Sequence, residues 1–82
     1  MMNVSPREFK YMKEHVTKRL ISLLMEREKV SLREAFDIVY NSDTFAKLSD
    51  PETGLYFQSP GYVYSYLESE MSKLRHRQSK SV

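Results

Sequence analysis

The chain has no cysteine and few residues that interrupt helices, with only two glycines and three prolines among its 82 residues. The absence of cysteine excludes disulfide bonds and thiolate metal sites, and it is typical of proteins in a reducing compartment. The two histidines, His15 and His76, are too far apart in the sequence to indicate a metal site. We therefore expect no metal, no cofactor and no covalent cross-link.

Long apolar runs are also missing. The longest dense apolar stretch, residues 20–25, is far shorter than the roughly 20 residues that a membrane-spanning helix needs. The N-terminus lacks the basic stretch followed by an apolar stretch that is typical of a signal peptide. A chain of 82 residues has room for one core only. These observations predict a cytoplasmic protein without membrane contact that forms a single helical domain over residues 1–82.

Neither sign of charge dominates, because 13 basic and 11 acidic side chains give a net charge of +2. Most of these charges are interspersed, whereas nucleic-acid-binding proteins concentrate lysine and arginine on one face. One basic cluster lies near the C-terminus and comprises Lys73, Arg75, His76, Arg77 and Lys80. Cations there complement the negative end of a helix dipole, which explains the cluster without a ligand. Alternatively, Lys73, Arg75, Arg77 and Lys80 contact the phosphates of a nucleic acid.

Recurrent start signals predict helices along most of the chain. Ser5-Pro6-Arg7-Glu8 and Ser31-Leu32-Arg33-Glu34 each have the pattern of a capping box, and Ser59-Pro60 repeats the serine–proline start. With the apolar periodicity, these signals predict helices at about 6–28, 32–41, 43–48 and 60–77, and a flexible tail at 78–82. The sequence therefore predicts an all-α fold, a small compact bundle of three main helices plus a short helical turn.

Apolar residues that recur every three or four positions predict the buried face of each main helix. The predicted faces are Phe9, Met12, Val16, Leu20, Leu23 and Leu24 in the first helix, Leu32, Ala35, Phe36 and Val39 in the second, and Val63, Tyr66, Leu67, Met71 and Leu74 in the last. A core of this size gives little stability without a cross-link or a partner. We therefore expect the chain either to associate with itself, for example as a homodimer, or to bind a protein partner.

The segment 53–62 is the most distinctive part of the chain, because it holds both glycines, a proline and three aromatic residues. From the last residue of this segment onward, Tyr62, Tyr64 and Tyr66 are spaced two residues apart, so a helix cannot direct all three at one core. Tyr62 and Tyr66 share a side, and Tyr64 faces roughly the opposite way. We predict a protein contact surface made of Tyr56, Phe57, Tyr62 and Tyr64, since exposed tyrosine is enriched at interfaces. Alternatively, Tyr62 and Tyr66 complete the core and Tyr64 is an ordinary surface ring.

No sequence pattern indicates catalysis. Glu68 and Glu70 are two residues apart on a helix and diverge, and the chain has no phosphate-binding glycine loop and no nucleophile elbow. A helix-turn-helix is also disfavoured, because residues 43–48 are too short for a recognition helix. The predicted function is a non-catalytic interaction or regulatory accessory module. The alternative is a small nucleic-acid-binding regulator that uses the basic end of the last helix.

A set of short motifs is spread between Ser31 and Met71. They are Glu34-Ala35, Asn41-Ser42, Lys47-Leu48, Thr53-Gly54-Leu55-Tyr56, Gln58-Ser59-Pro60, Tyr62-Val63-Tyr64, Leu67 and Glu70. Over this segment, about half of the chain, the sequence resembles a family of small uncharacterised bacterial helical proteins. The resemblance implies a small helical protein without an assigned activity, associated with neighbourhoods of small toxin-like or accessory genes, and with it an antitoxin-like or regulatory accessory role. It assigns no catalytic or binding residue.

Overall fold

The computed structural model describes the backbone of residues 4–80 and the side chains of residues 4–74. Its elements in chain order are α1 (Pro6–Glu28), α2 (Leu32–Tyr40), α3 (Asp43–Leu48), a 3₁₀ turn (Pro51–Thr53), a second 3₁₀ turn (Leu55–Phe57) and α4 (Pro60–Lys80). No strand occurs in this part of the chain. The predicted all-α class, with three main helices and one short helix, is confirmed.

The helix starts follow from local hydrogen bonds that the sequence predicts. At α1, the Glu8 amide donates to the Ser5 hydroxyl at 3.1 Å, and the Ser5 amide donates to the Glu8 carboxylate at 2.9 Å. Ser31 and Glu34 form the same reciprocal pair at the start of α2. Each box satisfies two amides that have no partner within the helix. Both predicted capping boxes are therefore confirmed.

The ends of two helices differ slightly from the predicted ones. α2 ends at Tyr40 and not at residue 41. α4 continues to Lys80, so residues 78–80, predicted as part of a flexible tail, are helical. Residues 81 and 82 of that tail lie outside the described residues. Between α3 and α4, Gly54 has a φ of 72°, the left-handed conformation that glycine adopts without steric cost.

α1 is the central element, because it packs against α2, α4 and the second 3₁₀ turn, while α3 packs against α4. The core consists of Val16, Leu20, Ile21, Leu24, Ala35, Val39, Leu48, Leu55, Tyr56, Val63, Tyr64 and Leu67. Every element except the first 3₁₀ turn contributes to the buried set. The segment 53–62, which we call the aromatic corner, is thereby attached to α1 through Leu55 and Tyr56.

The predicted buried faces are right in α1 and partly wrong in α2 and α4. In α2 only Ala35 and Val39 are buried, whereas Leu32 and Phe36 are exposed. In α4, Tyr66 and Leu74, both predicted as buried, are exposed, and Tyr64 is buried instead. The physical reason is the direction of the neighbouring helix: periodicity defines a stripe, but the position of α1 decides which edge of that stripe is covered.

Candidate functional site

Two members of the predicted aromatic surface are buried. Tyr64 is 1 % exposed, and the guanidinium of Arg27 lies 5.0 Å from the centre of its ring. Tyr56 is also buried, and its ring packs edge-on against Phe9 with a centroid distance of 4.9 Å. The prediction of an exposed contact surface is therefore wrong for Tyr56 and Tyr64. α1 covers both rings, because it packs against α4 and against the second 3₁₀ turn.

The other two members, Phe57 and Tyr62, are exposed. Phe57 lies beside Tyr56, with ring centres 6.1 Å apart. Tyr62 pairs with Tyr66, as the predicted shared side requires: their rings are 5.4 Å apart in an edge-on arrangement and their hydroxyl oxygens are 3.2 Å apart. The hydrogen bond with Tyr66, then the nearby charge of its phenolate, and then slight desolvation raise the pKa of Tyr62. The four predicted residues thus do not form one surface.

Another exposed apolar surface, made of three large side chains, lies on α2. Leu32, Phe36 and Tyr40 are spaced four residues apart, so they form one line along this helix. Phe36 is 48 % exposed, and the other two side chains are comparably exposed. The rings of Phe36 and Tyr40 are stacked, with centroids 4.4 Å apart and an interplanar angle of 20°. We call these three side chains the α2 aromatic face.

Ring contacts continue this face across the molecule. Tyr40 contacts the half-buried Phe45 of α3, with ring centres 4.6 Å apart. The ammonium of Lys13 lies 5.7 Å from the centre of the Phe45 ring and 5.9 Å from that of Phe9. Phe9 in turn contacts Tyr56, which neighbours Phe57. A row of aromatic rings thus connects α2 to the corner, with a cation–π bridge in its middle.

The sequence contains the residues of this row, but no local pattern directly predicts that they come together. Apolar spacing in α2 predicts Leu32 and Phe36 as core, because a stripe does not show which of its edges is covered. Phe45 and Phe9 are 36 residues apart in the sequence, and Lys13 connects them only after α1 and α3 have packed. One indirect signal exists: large side chains flank the small Ala35, which favours close approach at the small residue and exposure beside it.

Glu70 has a structural role that the sequence analysis missed. Its carboxylate accepts hydrogen bonds from the Asp43 amide at 2.7 Å, the Thr44 amide at 3.0 Å and the Thr44 hydroxyl at 2.8 Å. These donors lie at the start of α3, so α4 caps α3 with a negative charge where the helix dipole is positive. No local pattern predicts this bond, because its partners are more than twenty residues apart.

A shallow cleft of about 250 Å³ adjoins this cap, and Lys47, Tyr66, Glu70 and Lys73 are among its lining residues. Both oxygens of the Glu70 carboxylate accept hydrogen bonds from the start of α3. Lys73, predicted for the alternative nucleic-acid site, is exposed at this cleft. The side chains of its predicted companions, Arg75, Arg77 and Lys80, lie outside the described residues.

Comparisons with known proteins return no relatives: no protein-family model, no curated protein and no solved structure matches the chain. The family resemblance over the segment from Ser31 to Met71 stays a prediction. In the described part of the chain, histidine and the acidic residues form no group of three that could hold a metal ion. Over the same residues, each helix is too short or too polar to cross a bilayer.

Proposed function

We propose that this protein is a non-catalytic interaction module, a regulatory accessory protein of the bacterial cytoplasm that binds another protein chain. The observation that carries the proposal is the α2 aromatic face, in which three large apolar side chains are lined up and about half exposed. Scattered single apolar residues are normal on protein surfaces, but contiguous apolar patches mark interaction sites.

The size of the face sets the strength that it can contribute. Each of the three side chains leaves roughly 100 Å² accessible, so covering all three contributes about 7 kcal/mol. Association itself costs roughly 4–15 kcal/mol in lost freedom of motion. The face alone therefore supports weak binding, and tighter binding needs contacts beyond it. The row of rings that leads to Phe57 provides such an extension.

The proposal keeps the predicted type of function and relocates its surface. Phe57 and Tyr62 remain contact candidates, because both rings are exposed. The nucleic-acid alternative, through Lys73, Arg75, Arg77 and Lys80, makes a different prediction. Phosphate contacts weaken steeply as salt rises, whereas contacts between apolar rings change little.

The test is capture of partners from native lysate by tagged protein, with and without nuclease, followed by mass spectrometry. We expect a stoichiometric protein that survives nuclease and is lost with Phe36→Ser. Tyr11→Ser is the matched control, because Tyr11 is an exposed ring on α1 that belongs to no ring contact of the row. If Phe36→Ser retains every partner while circular dichroism shows native helix content, the surface assignment is wrong. Recovery of nucleic acid would favour the alternative.

A further inference from the structure

We infer that the partner of the α2 aromatic face is a second copy of this chain, with the two α2 helices antiparallel about a two-fold axis. The inference rests on the proposed function, because it names the occupant of the same surface. Leu32 and Tyr40 lie at equal distances along the helix from the central Phe36. An antiparallel pair therefore brings Phe36 next to Phe36 of the second copy, and Leu32 next to Tyr40 at both ends. Such self-complementarity is the requirement for a two-fold interface.

The charges beside the face point to the same arrangement. Arg33 and Asp37 are exposed, and each follows a residue of the face by one position, so both lie along its outer edge. In an antiparallel pair with two-fold symmetry, like edges of the two helices meet. Arg33 then lies opposite Asp37 of the second copy, and the same ion pair forms twice.

The register agrees with this pairing. The midpoint between Arg33 and Asp37 is residue 35, whereas the face is centred on Phe36. Two-fold symmetry doubles this shift, so Arg33 is displaced from Asp37 of the second copy by two residues, or about 3 Å along the helix, which a flexible arginine side chain absorbs. A parallel pair would bring this edge against the opposite edge of α2. That edge carries Ala35 and Val39, which are buried within their own domain, so a parallel pair has no accessible surface for it.

The interface is small, and its strength follows from its size. A nine-residue helix is about 13 Å long, which gives much less than the roughly 800 Å² that each partner contributes to a standard interface. We expect weak, reversible dimers with a Kd of about 10–500 μM. The chain is then monomeric in dilute solution and dimeric where its local concentration is high.

Sedimentation equilibrium from about 10 μM to 1 mM tests the pairing. We expect Phe36→Glu to weaken the dimer at least about thirtyfold, as for a residue at the centre of an interface. Tyr11→Glu is the control, since Tyr11 is an exposed ring on α1 that lies outside the row of rings, and it should leave the dimer within about threefold of the wild type. A wild-type chain that stays monomeric at 1 mM overturns the inference, and so does equal weakening by both variants.

A charge exchange tests the antiparallel register. Arg33→Glu leaves two acidic side chains on the edge, and Asp37→Lys leaves two basic ones, so each variant repels itself. We expect each variant alone to dimerise about tenfold more weakly than the wild type at low salt, and their equimolar mixture to recover a 1:1 heterodimer. Circular dichroism confirms that both remain helical. If the mixture associates no better than either variant alone, the register is wrong.

Failure of self-association can be distinguished from failure of the proposed function. If the wild type is monomeric but captures a lysate protein in a Phe36-dependent way, the face binds a different chain and only the inference fails. If Phe36→Glu abolishes neither capture nor self-association, both the inference and the surface proposal fail.

Discussion

α2 and α4 both pack on α1, but they bury side chains of different size. α4 buries its large Tyr64 together with Val63 and Leu67. α2 instead buries Ala35 and Val39, while the larger Leu32, Phe36 and Tyr40 are exposed beside them. Hydrophobicity alone would place the larger side chains inside, because they gain more from burial. The geometry of α2 therefore outweighs the preference of its individual residues.

The small Ala35 explains this geometry. It is fully buried where α2 lies against α1, and a methyl side chain allows two helix backbones to approach closely. Ala35 and Val39 are the buried residues of α2, and Leu32 and Phe36 lie exposed beside them. In α4, the larger Tyr64 fills the space under Arg27. The comparison shows that the position of the neighbouring helix decides which apolar residues are buried.

The largest effect is expected where α4 fills that space. Tyr64→Ala removes a nearly fully buried ring, which costs about 3–5 kcal/mol of unfolding free energy. Because small domains have little more than about 5 kcal/mol in total, the variant keeps at most about 2 kcal/mol, and we expect a much lower urea midpoint and a partly unfolded population at 25 °C by circular dichroism. Tyr64→Phe keeps the ring and should remain folded. An alanine variant with wild-type stability would show that the space under Arg27 is not closely packed.

A smaller loss is expected at the contact between α4 and α3. Glu70→Ala removes three hydrogen bonds to the start of α3 and should lower the free energy of unfolding by about 2 kcal/mol. Glu68→Ala, on the exposed side of the same helix, is the matched control and should change it by less than about 0.5 kcal/mol. Equal urea midpoints for the two variants would contradict the capping role.

The comparison of α2 and α4 also shows what the sequence can predict. The helix starts at Ser5 and Ser31 were predictable, because their capping partners are three residues away. The divergence of Tyr62 and Tyr64 followed from helix geometry, but the choice of the buried ring did not, since it depends on where α1 lies. The cap by Glu70 depends on α3 and α4 being adjacent, and the sequence carries no local trace of that contact.

The exposure of the predicted aromatic rings followed from the sequence only in part. Of the four rings predicted as a contact surface, Phe57 and Tyr62 are exposed, whereas Tyr56 and Tyr64 are buried. The α2 aromatic face was predicted as core, because the spacing of Leu32 and Phe36 is the same whether their stripe faces α1 or solvent. Exposure is a property of the packed neighbours, and periodicity within one helix does not contain it.

The role of Ala35 can be tested directly by exchanging the sizes on α2. Ala35→Leu inserts a large side chain at a fully buried position of α2 and should cost about 1–3 kcal/mol through overpacking. Phe36→Ser removes a large ring, but this ring is about half exposed in the native structure. The free energy of unfolding should therefore fall by less than about 1 kcal/mol. The measurement is urea denaturation of both variants at a protein concentration that is too low for the dimer to form. If Phe36→Ser proves more destabilising than Ala35→Leu, Phe36 supports the core and the α2 aromatic face is not free to bind.

The smallest expected effect lies on the exposed side of α4, where Tyr62 contacts Tyr66. Their hydrogen bond favours the protonated phenol, so the pKa of Tyr62 is raised above its ordinary value. The contribution of this hydrogen bond to the stability of the folded protein is fully present below the ordinary tyrosine pKa. It is lost as the pH rises through the raised pKa of Tyr62. In NMR titrations of the ring signals, Tyr66→Phe should return the pKa of Tyr62 toward the ordinary value, whereas Tyr11→Phe should leave it unchanged. An unaltered Tyr62 titration in Tyr66→Phe would mean that the two hydroxyls do not form a hydrogen bond in solution. The exposed rings of α4 would then have fewer contacts with each other than the stacked rings of α2.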